Sequence, residues 1–484
     1  MPVSDVTDPE FDPSQLEADD PLAQDVDAWL VRLLARDPDE IDLGLTRVRE
    51  VADRLNLLSP QGCVITVAGT NGKGSSVAML SEVYLQAGYR VGTYTSPHFH
   101  RFNERIRIQG VPVASAFLIE AFEAVEVARQ GCALTYFEAA TLAAFWVFQR
   151  SELDIWVLEV GLGGRLDAVN VLDADACLVT AIGLDHQAYL GSDRATIGRE
   201  KAGIFRPGVP CVCSDRQMPE TVAATAKALK APLWSLGQTF DWSTSVSDHE
   251  TVPNHQAWWV DLPKLGQTYS LAPLQLVGDY QRNNAAGVVA LVARLASQWP
   301  VSAETLRQAL ADTRYPGRMQ TLCVNQQTWW LDVAHNPQAA NALAQTLKQT
   351  LKQSHDASVD TSSAHPLQPI SLACVFAVMA DKDTDAMIEA LQPMIHRWHL
   401  VPLPEAGARA LTVSQLAQRL RRLGVSEKHI QRHDSMASAI DYLTTSGHAS
   451  EPRLVWGSFY TVAAALKVLA QPAQARDNPA LEAP

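Results

Sequence analysis

A short apolar run followed by a glycine-rich turn constrains the fold of this chain more than any other part of its sequence. Residues 64–68 are mostly β-branched and predict a buried strand, and the pattern from about residue 76 to residue 84 predicts a helix. The turn between them consists of Gly69, Thr70, Asn71, Gly72, Lys73, Gly74 and Ser75. In such a unit the backbone N–H groups, the helix N-terminus and a lysine bind phosphate oxygens, so the turn predicts a nucleotide site. An ordinary glycine-rich turn is the alternative.

The turn departs from the standard phosphate-binding sequence in two ways. Its first glycine lies closer to the Gly-Lys pair than in the standard spacing, and Gly74 stands where the standard loop has a metal-binding hydroxyl. We therefore expect any Mg²⁺ ion at this site to take its hydroxyl ligand from another segment.

Composition and charge exclude several classes of protein. The chain of 484 residues is long enough for two or more domains, and no apolar run is long enough to cross a bilayer. Its seven scattered cysteines favour a reducing compartment over a disulfide framework, and Cys211 and Cys213 fit strand packing better than metal binding. The net charge of −14 disfavours non-specific binding to nucleic acid or to an anionic membrane. These features predict a cytoplasmic protein that binds neither nucleic acid nor a membrane.

Polar residues follow the ends of successive apolar runs. Besides the run before Lys73, runs at residues 91–94, 155–160 and 176–183 carry Ser96, Glu159 and His186 at or just after their ends. Continuous apolar strands that alternate with helices predict a parallel sheet covered on both faces. Ligands bind at the carboxyl ends of the strands in such sheets. We therefore expect these four side chains to lie near one another.

The order of elements predicts two α/β domains. A phosphate-loop parallel-sheet ATPase domain is expected over residues 25–312, and a smaller Rossmann-like domain over residues 313–470. Residues 231–272 predict a small β-rich excursion, and residues 352–368 predict a flexible insertion. Nine acidic residues precede the first basic residue, Arg32, so residues 1–24 are expected to be a disordered acidic tail, and residues 471–484 a second disordered tail.

Six segments in order resemble a known family. They are Gly69-Thr70-Asn71-Gly72-Lys73-Gly74-Ser75, Thr95-Ser96-Pro97-His98, Glu159-Val160-Gly161-Leu162-Gly163-Gly164-Arg165-Leu166-Asp167, Glu200-Lys201-Ala202-Gly203-Ile204, Pro316-Gly317-Arg318 and Asp332-Val333-Ala334-His335-Asn336-Pro337. The set resembles folylpolyglutamate synthase, a branch of the Mur ligase superfamily, and in particular the bacterial bifunctional type that is also a dihydrofolate synthase. The resemblance covers roughly residues 25–470.

The resemblance implies an ATP-dependent amide ligase. ATP activates a carboxylate as an acyl phosphate, and the amino group of L-glutamate displaces the phosphate, so ADP and phosphate are released. The carboxylate belongs to dihydropteroate in the first activity and is the γ-carboxylate of a reduced folate in the second. The expected partners are these small molecules, and the expected oligomeric state is a monomer.

The resemblance also implies a metal site and a modified lysine. Two Mg²⁺ ions are expected, the first on Ser96 and Glu159 and the second on His186. Lys201 is expected to be carbamylated. Each of these residues also has an ordinary structural role as an alternative, and these alternatives stay open. Ser96 could cap a helix, and Glu159 could be a buried charge. His186 could be an ordinary loop histidine, and Lys201 could form a surface salt bridge.

The remaining implied residues bind ATP and the folate. The ATP contacts outside the glycine-rich turn are Asn284, Arg318, Asp332 and His335, and the second domain is expected to close over the nucleotide. The alternatives are a linker role for Arg318 and a helix cap for Asp332. The implied substrate-binding residues are Phe137, Arg165, Asp167 and Ala168. A core aromatic is the alternative for Phe137.

Two other functions fit parts of the pattern. One is a Mur-type ligase for a different carboxylate, such as a cell-wall precursor. The other is a non-catalytic nucleotide-binding module. The presence of Lys73, Glu159, His186 and Lys201 together argues against an inactive site.

Overall fold

The computed structural model describes residues 22–35, 42–244, 257–358, 372–445 and 451–470. These residues form two compact units, which we call the phosphate-loop unit (residues 22–275 and 279–314) and the C-terminal unit (residues 276–278 and 315–470). The division falls beside the boundary predicted between residues 312 and 313. The predicted tails lie outside the described residues, apart from residues 22–24, where a helix already begins at Ala23.

The phosphate-loop unit contains ten helices and eleven strands among its described residues. The helices are α1 (Ala23–Leu34), α2 (Thr46–Arg54), α3 (Lys73–Gln86), α4 (Ser115–Arg129), α5 (Tyr136–Gln149), α6 (Gln187–Leu190), α7 (Arg194–Ala202), α8 (Glu220–Leu229), α9 (Asp279–Leu295) and α10 (Ala303–Asp312). The strands are β1 (Cys63–Ala68), β2 (Val91–Tyr94), β3 (Ile106–Ile108), β4 (Val111–Pro112), β5 (Ile155–Glu159), β6 (Ala176–Val179), β7 (Cys211–Cys213), β8 (Leu233–Ser235), β9 (Asp241–Ser243), β10 (Trp258–Leu262) and β11 (Gln267–Leu271).

The large sheet of this unit has the strand order β4-β3-β2-β5-β1-β6-β7-β8. The six strands from β2 to β8 in this order are parallel, and β3 and β4 add an antiparallel edge. Strand β1 lies between β5 and β6, with Val67 beside Glu159 and Ala68 beside Val179. The loops after β1, β5 and β6 therefore leave the sheet next to one another, where parallel sheets bind ligands.

Burial explains why the apolar runs became strands. All six residues of β1 and all five of β5 are buried, including Glu159. Helices α3, α9 and α10 pack together, and so do α1, α4 and α5. The predicted α/β class is confirmed. The predicted β-rich excursion contains β8 in the large sheet and a three-stranded antiparallel sheet, β11-β10-β9, and its residues 245–256 lie outside the described residues.

The C-terminal unit is a second α/β layer structure. Its helices are α11 (Pro337–Ser358), α12 (Thr384–Leu391), α13 (Val413–Arg422), α14 (Met436–Thr445) and α15 (Phe459–Leu469). Its strands are β12 (Gln320–Val324), β13 (Gln327–Asp332), β14 (Leu372–Phe376), β15 (Ile395–Leu400), β16 (Ile430–Arg432) and β17 (Arg453–Trp456). They form one sheet in the order β12-β13-β17-β14-β15-β16, parallel except for the edge strand β12.

The predicted insertion at residues 352–368 needs a correction. Helix α11 continues through Ser358, so the first part of that segment is helical rather than a flexible loop. The rest, residues 359–368, lies outside the described residues. Across the ranges that the structure describes, none of the helices combines the length and the apolar character that a bilayer span would need.

Candidate active site at the phosphate loop

The glycine-rich turn links the end of β1 to the start of α3 and leaves no room for side chains at two positions. Gly72 precedes the helix with a φ of 94°, and a Cβ atom there would lie 2.6 Å from Oδ1 of Asn284. A Cβ atom on Gly69 would lie 1.8 Å from Oγ1 of Thr180. Both positions therefore require glycine.

Neighbouring loops fix the shape of the turn. The backbone N–H of Thr70 donates to the carbonyl of Ala181 at 2.7 Å, and the Thr70 hydroxyl donates to the carbonyl of Gly183 at 3.1 Å. The Thr180 hydroxyl donates to the carbonyl of Asn71 at 2.8 Å. The segment after β6 thus holds the turn in a fixed shape before any ligand binds.

The first turn of α3 is fixed from the other side by α9. Gly74 and Ser75 are buried there, and the Gln281 side chain donates to Oγ of Ser75 at 3.2 Å. Asn284 donates to Oε1 of Gln281 at 3.0 Å. The predicted ATP contact Asn284 therefore lies against the turn, and Gln281, near the start of the same helix, is a residue of this site to which the sequence assigned no role.

Two lysine amines meet at one carbonyl oxygen. Nζ of Lys73 donates to the carbonyl of Gly69 at 3.1 Å and to that of Thr70 at 3.4 Å. Nζ of Lys201, which is only 3% exposed, donates to the same Gly69 carbonyl at 2.9 Å. Burial first, and then the charge of Lys73, lower the pKa of Lys201 to about 7. The alternative of a surface salt bridge for Lys201 is therefore wrong.

The charges of two carboxylates act on these amines. Asp185 and Asp167 both raise the pKa of Lys201, which places their charges close to it. Asp167 is buried and accepts backbone N–H groups from Leu162 at 2.8 Å and from Val169 at 3.0 Å. Burial raises the pKa of Asp167 to about 6, although the two N–H groups and the charge of Lys73 each act to lower it. The sequence did not single out Asp185, although it directly precedes His186.

The predicted metal ligands are partly brought together. The backbone N–H of Ser96 donates to Oε2 of the buried Glu159 at 3.4 Å, so the ends of β2 and β5 place these two residues side by side. His186 precedes α6, its side chain is 38% exposed, and its Nε2 lies 4.0 Å from Oδ1 of Asp185. No three His, Cys, Asp or Glu side chains of the described chain form one metal-binding group. Carboxylate and hydroxyl oxygens at Glu159 and Ser96 still match the donors that Mg²⁺ prefers.

The predicted folate-binding residues line the loop after β5. The centre of the Phe137 ring lies 6.1 Å from that of the Tyr94 ring. A Cβ atom on Gly161 would lie 2.4 Å from Cζ of Phe137. Ala168 is buried beside the capping Asp167. Arg165 is exposed and pairs with Glu200 at 3.0 Å. Phe137 is half-buried, so a ring face is accessible in part.

The C-terminal unit contains its own cluster at the end of β13. Asp332 accepts backbone N–H groups from Met319 at 2.9 Å and from Ala334 at 2.8 Å. Burial raises its pKa, and the charge of Arg318 acts against that shift. Asn336 caps α11 by accepting from the N–H of Ala339, so the helix-cap alternative for Asp332 is wrong.

Aromatic contacts complete this cluster. The Arg318 guanidinium lies 5.4 Å from the centre of the Phe459 ring, and the His335 ring lies 6.2 Å from the same ring. Nδ1 of His335 is 2.8 Å from the carbonyl of Val333. The structure thus brings together the three predicted ATP contacts of this unit.

Comparisons with known proteins agree with this arrangement. Family models described as "Mur ligase middle domain" and "Mur ligase, glutamate ligase domain" match residues 67–292 and 317–459. The dihydrofolate synthase/folylpolyglutamate synthase of Escherichia coli (strain K12) is 39% identical over 453 residues, which is 94% of this chain and 96% of that protein. A solved structure of E. coli FolC in complex with DHPP and ADP has a TM-score of 0.79 at 38% identity and covers 92% of this chain and 97% of that chain. A solved structure of a bifunctional folylpolyglutamate synthase/dihydrofolate synthase with Mn, AMPPNP and L-glutamate bound has a TM-score of 0.79 at 35% identity. It covers 92% of this chain and 98% of that chain.

Proposed function

This chain belongs to the dihydrofolate synthase/folylpolyglutamate synthase family of Mur ligases, whose members are ADP-forming ligases, and we propose how its phosphate-loop edge performs that reaction. The enzyme joins L-glutamate to dihydropteroate, which gives dihydrofolate, and to the γ-carboxylate of reduced folates. Both reactions make one amide bond and consume one ATP.

One observation carries the proposal: the amines of Lys73 and Lys201 converge on the Gly69 carbonyl. A carboxylate that attacks the γ-phosphoryl group of ATP faces repulsion between two anions. A cation at the phosphates offsets that repulsion and stabilises the charge on the transferring group. Lys73 supplies that cation at the turn, in a chain whose net charge is −14.

The reaction proceeds in two steps. A carboxylate oxygen of the acceptor forms a bond to the γ-phosphorus, and the bond between this phosphorus and ADP breaks. The neutral amine of L-glutamate then attacks the acyl carbon, and phosphate leaves. Lys73 and the N–H groups of the turn hold the phosphates throughout, and Phe137, Arg165, Asp167 and Ala168 hold the acceptor.

Divalent cations fit beside these residues. Solved structures of relatives contain Mn together with AMPPNP, so a divalent metal accompanies the nucleotide in this family. We assign the first of two Mg²⁺ ions to Ser96 and Glu159 and the second to His186. When bound, the ions supply positive charge to the phosphate oxygens. Asp185 orients His186, because it accepts the His186 backbone N–H at 2.9 Å.

Lys201 is the residue that we assign to carbamylation. A pKa of about 7 leaves much of its amine neutral near neutral pH. The neutral amine attacks the carbon of CO₂, a C–N bond forms as one C–O π bond opens, and the nitrogen loses one proton to solvent, which leaves an anionic carbamate. That change removes the repulsion with Lys73 and provides two oxygens next to the cation sites.

The remaining assignments follow from the same premise. Asn284 in the phosphate-loop unit and Arg318, Asp332 and His335 in the C-terminal unit contact ATP. The catalytic domain is residues 25–312 and the ligase domain is residues 313–470. The enzyme works as a cytoplasmic monomer.

The deciding experiment measures ADP release with each substrate singly and together. We expect release to require both dihydropteroate and L-glutamate, and separately both tetrahydrofolate and L-glutamate. A ligase for another carboxylate would show no such dependence on either pterin compound. A non-catalytic nucleotide-binding module would bind ATP and release no ADP under any combination.

A further inference from the structure

Arg105 is a buried arginine that the reaction described above does not use. It directly precedes β3, and only 8% of its surface is exposed. Its carbonyl accepts the backbone N–H of Thr95 at 2.8 Å, so it lies beside the segment that carries Ser96. A guanidinium that is charged and largely removed from water calls for a compensating group.

Two aromatic rings and a histidine fix the guanidinium in one orientation. Nε of Arg105 donates to Nδ1 of His98 at 2.9 Å. Its Cζ atom lies 5.3 Å from the centre of the Phe102 ring and 5.5 Å from that of the Tyr136 ring. Because Nδ1 of His98 accepts this N–H, the ring is a neutral acceptor and does not compensate the charge of Arg105.

No acidic side chain in the described ranges compensates Arg105. The neighbouring Glu104 uses its carboxylate on the backbone N–H groups of Phe99, His100 and Arg101. One guanidinium N–H bonds to His98, and a guanidinium has five N–H donors. The remaining donors form a planar fork of the kind that binds a carboxylate through two parallel hydrogen bonds.

The position of this fork is next to the residues assigned to the folate. Tyr136, which the guanidinium contacts, is the first residue of α5, and Phe137 follows it. The Phe137 ring contacts Tyr94, and burial raises the pKa of Tyr94 while the nearby charge of Arg105 acts against that shift. The lysines at the Gly69 carbonyl lie at the end of a different strand, β1. Two separate cationic groups therefore border the acceptor site.

We propose that Arg105 binds the α-carboxylate of the glutamate that a reduced folate already carries. This inference rests on the proposed function. Dihydropteroate has one carboxylate, which reacts at the phosphates, whereas a reduced folate has a second carboxylate that does not react. Arg105 is thus a specificity-determining residue for glutamate addition to folates, and it contributes little to the synthesis of dihydrofolate.

The test compares steady-state kinetics of Arg105→Gln with three acceptors: dihydropteroate, tetrahydrofolate and the α-amide of tetrahydrofolate. A buried charge-assisted pair contributes enough that KM for tetrahydrofolate should rise about 10- to 100-fold, while KM for dihydropteroate should change less than about threefold. The wild-type enzyme should have a similarly raised KM for the α-amide, and Arg105→Gln should not raise that value further. Arg105→Lys keeps the charge without the fork, so its KM for tetrahydrofolate should lie between those of the wild type and Arg105→Gln.

Controls separate this proposal from a structural role and from the proposed function itself. Arg107→Gln removes a half-buried arginine whose side chain donates to the Gly110 carbonyl, and it should leave all three acceptors unaffected. Equal losses of Arg105→Gln with dihydropteroate and tetrahydrofolate would overturn the proposal, because a structural role or contact with the reacting carboxylate gives that result. If the wild-type enzyme itself releases no ADP with dihydropteroate and L-glutamate, the proposed function fails before Arg105 is tested.

Discussion

The phosphate loop and the end of β13 are both polar clusters at the carboxyl end of a parallel sheet, but they balance charge differently. At the phosphate loop, the amines of Lys73 and Lys201 share one carbonyl oxygen, and neither forms a salt bridge in the described structure. At the end of β13, both carboxylate oxygens of Asp332 already accept backbone N–H groups, and Arg318 adds a positive charge nearby. In the described residues, the amines of the first cluster have no ion-pair partner, whereas the second cluster sets the charge of Arg318 against Asp332 as folded.

The phosphate-loop cluster should therefore limit activity, and the cluster at the end of β13 should limit stability. Groups that are arranged for a charged ligand repel one another until the ligand arrives, so they lower the stability of the free protein. Groups that satisfy one another stabilise the fold whether or not the ligand is bound. Substitutions in the two clusters should therefore change stability in opposite directions.

The largest expected effect is that of Lys201→Met. The rate of ADP release with dihydropteroate and L-glutamate should fall about 10- to 100-fold, because the two carbamate oxygens next to the cation sites are lost. The free energy of unfolding at pH 6 should rise by about 2–4 kcal/mol, because a buried amine that repels Lys73 is removed. Enzyme assays and urea unfolding of the ligand-free protein measure the two changes.

The pH dependence of this gain has a definite sign. The folded pKa of Lys201 is about 7, below the unfolded value near 10.5, so the unfolded chain binds more protons between these values. The buried amine of Lys201 lowers the free energy of unfolding by its full amount below pH 7, and this penalty disappears as pH rises toward 10.5. The stability gain of Lys201→Met should therefore also be largest below pH 7 and disappear toward pH 10.5. Lys227→Met, on the exposed side of α8, is the matched control. Full ligase activity of Lys201→Met, or no rescue of Lys201→Ala by small carboxylates, would count against the carbamate.

A smaller effect of opposite sign is expected for Asp332→Ala. The substitution leaves the N–H groups of Met319 and Ala334 buried without their acceptor, so the free energy of unfolding should fall by about 2–3 kcal/mol. Urea unfolding of the ligand-free protein, followed by tryptophan fluorescence, provides the measurement. Glu405→Ala, an exposed acid of the same unit, should change the free energy by less than about 0.5 kcal/mol. A stability gain in Asp332→Ala would show that this cluster also waits for a ligand.

The comparison also indicates how far the sequence alone can predict this molecule. Strands β1, β2 and β5 were predicted because their apolar runs are continuous, as burial on both faces requires. Strands β3, β4 and β16 are two or three residues long, and β12 alternates between half-buried and exposed residues, so none has a pattern that distinguishes it from a loop. Short or half-exposed strands of this kind depend on their neighbours more than on their own residues.

Within the candidate site, local motifs were predictable and long-range contacts were not. The turn around Lys73 combines glycines, a lysine and a helix start within a few residues, so the sequence identifies it directly. The bond from Lys201 to the Gly69 carbonyl joins residues 132 positions apart, and no periodicity encodes it. Arg105 was missed for a similar reason, because its burial depends on Tyr136 in another element.

The smallest expected effect tests the acid sensitivity that a buried histidine gives to the C-terminal unit. His399 on β15 is fully buried, with its Nδ1 atom 2.9 Å from Nε2 of His433 and its ring 5.6 Å from that of Tyr442. Burial first, and then the charges of His433, Arg397 and Arg453, lower the pKa of His399 to about 3. Burial also lowers the pKa of His433, and the charge of Asp434 acts to raise it.

The sign of this effect differs from that of Lys201. An unfolded histidine has a pKa near 6.5, so His399 contributes stability above that pH, and the contribution is lost as pH falls from 6.5 toward 3. Between pH 7 and pH 5 the wild-type protein should lose about 1–2 kcal/mol more than His399→Gln, which cannot be charged. Lys201 is present in both proteins, so its own titration near pH 7 cancels in the comparison. Urea unfolding at the two pH values measures the difference, with exposed His396→Gln as control. If wild-type and His399→Gln lose stability equally, the acid sensitivity belongs to other groups, and the contrast between the two units then rests on Lys201 and Asp332.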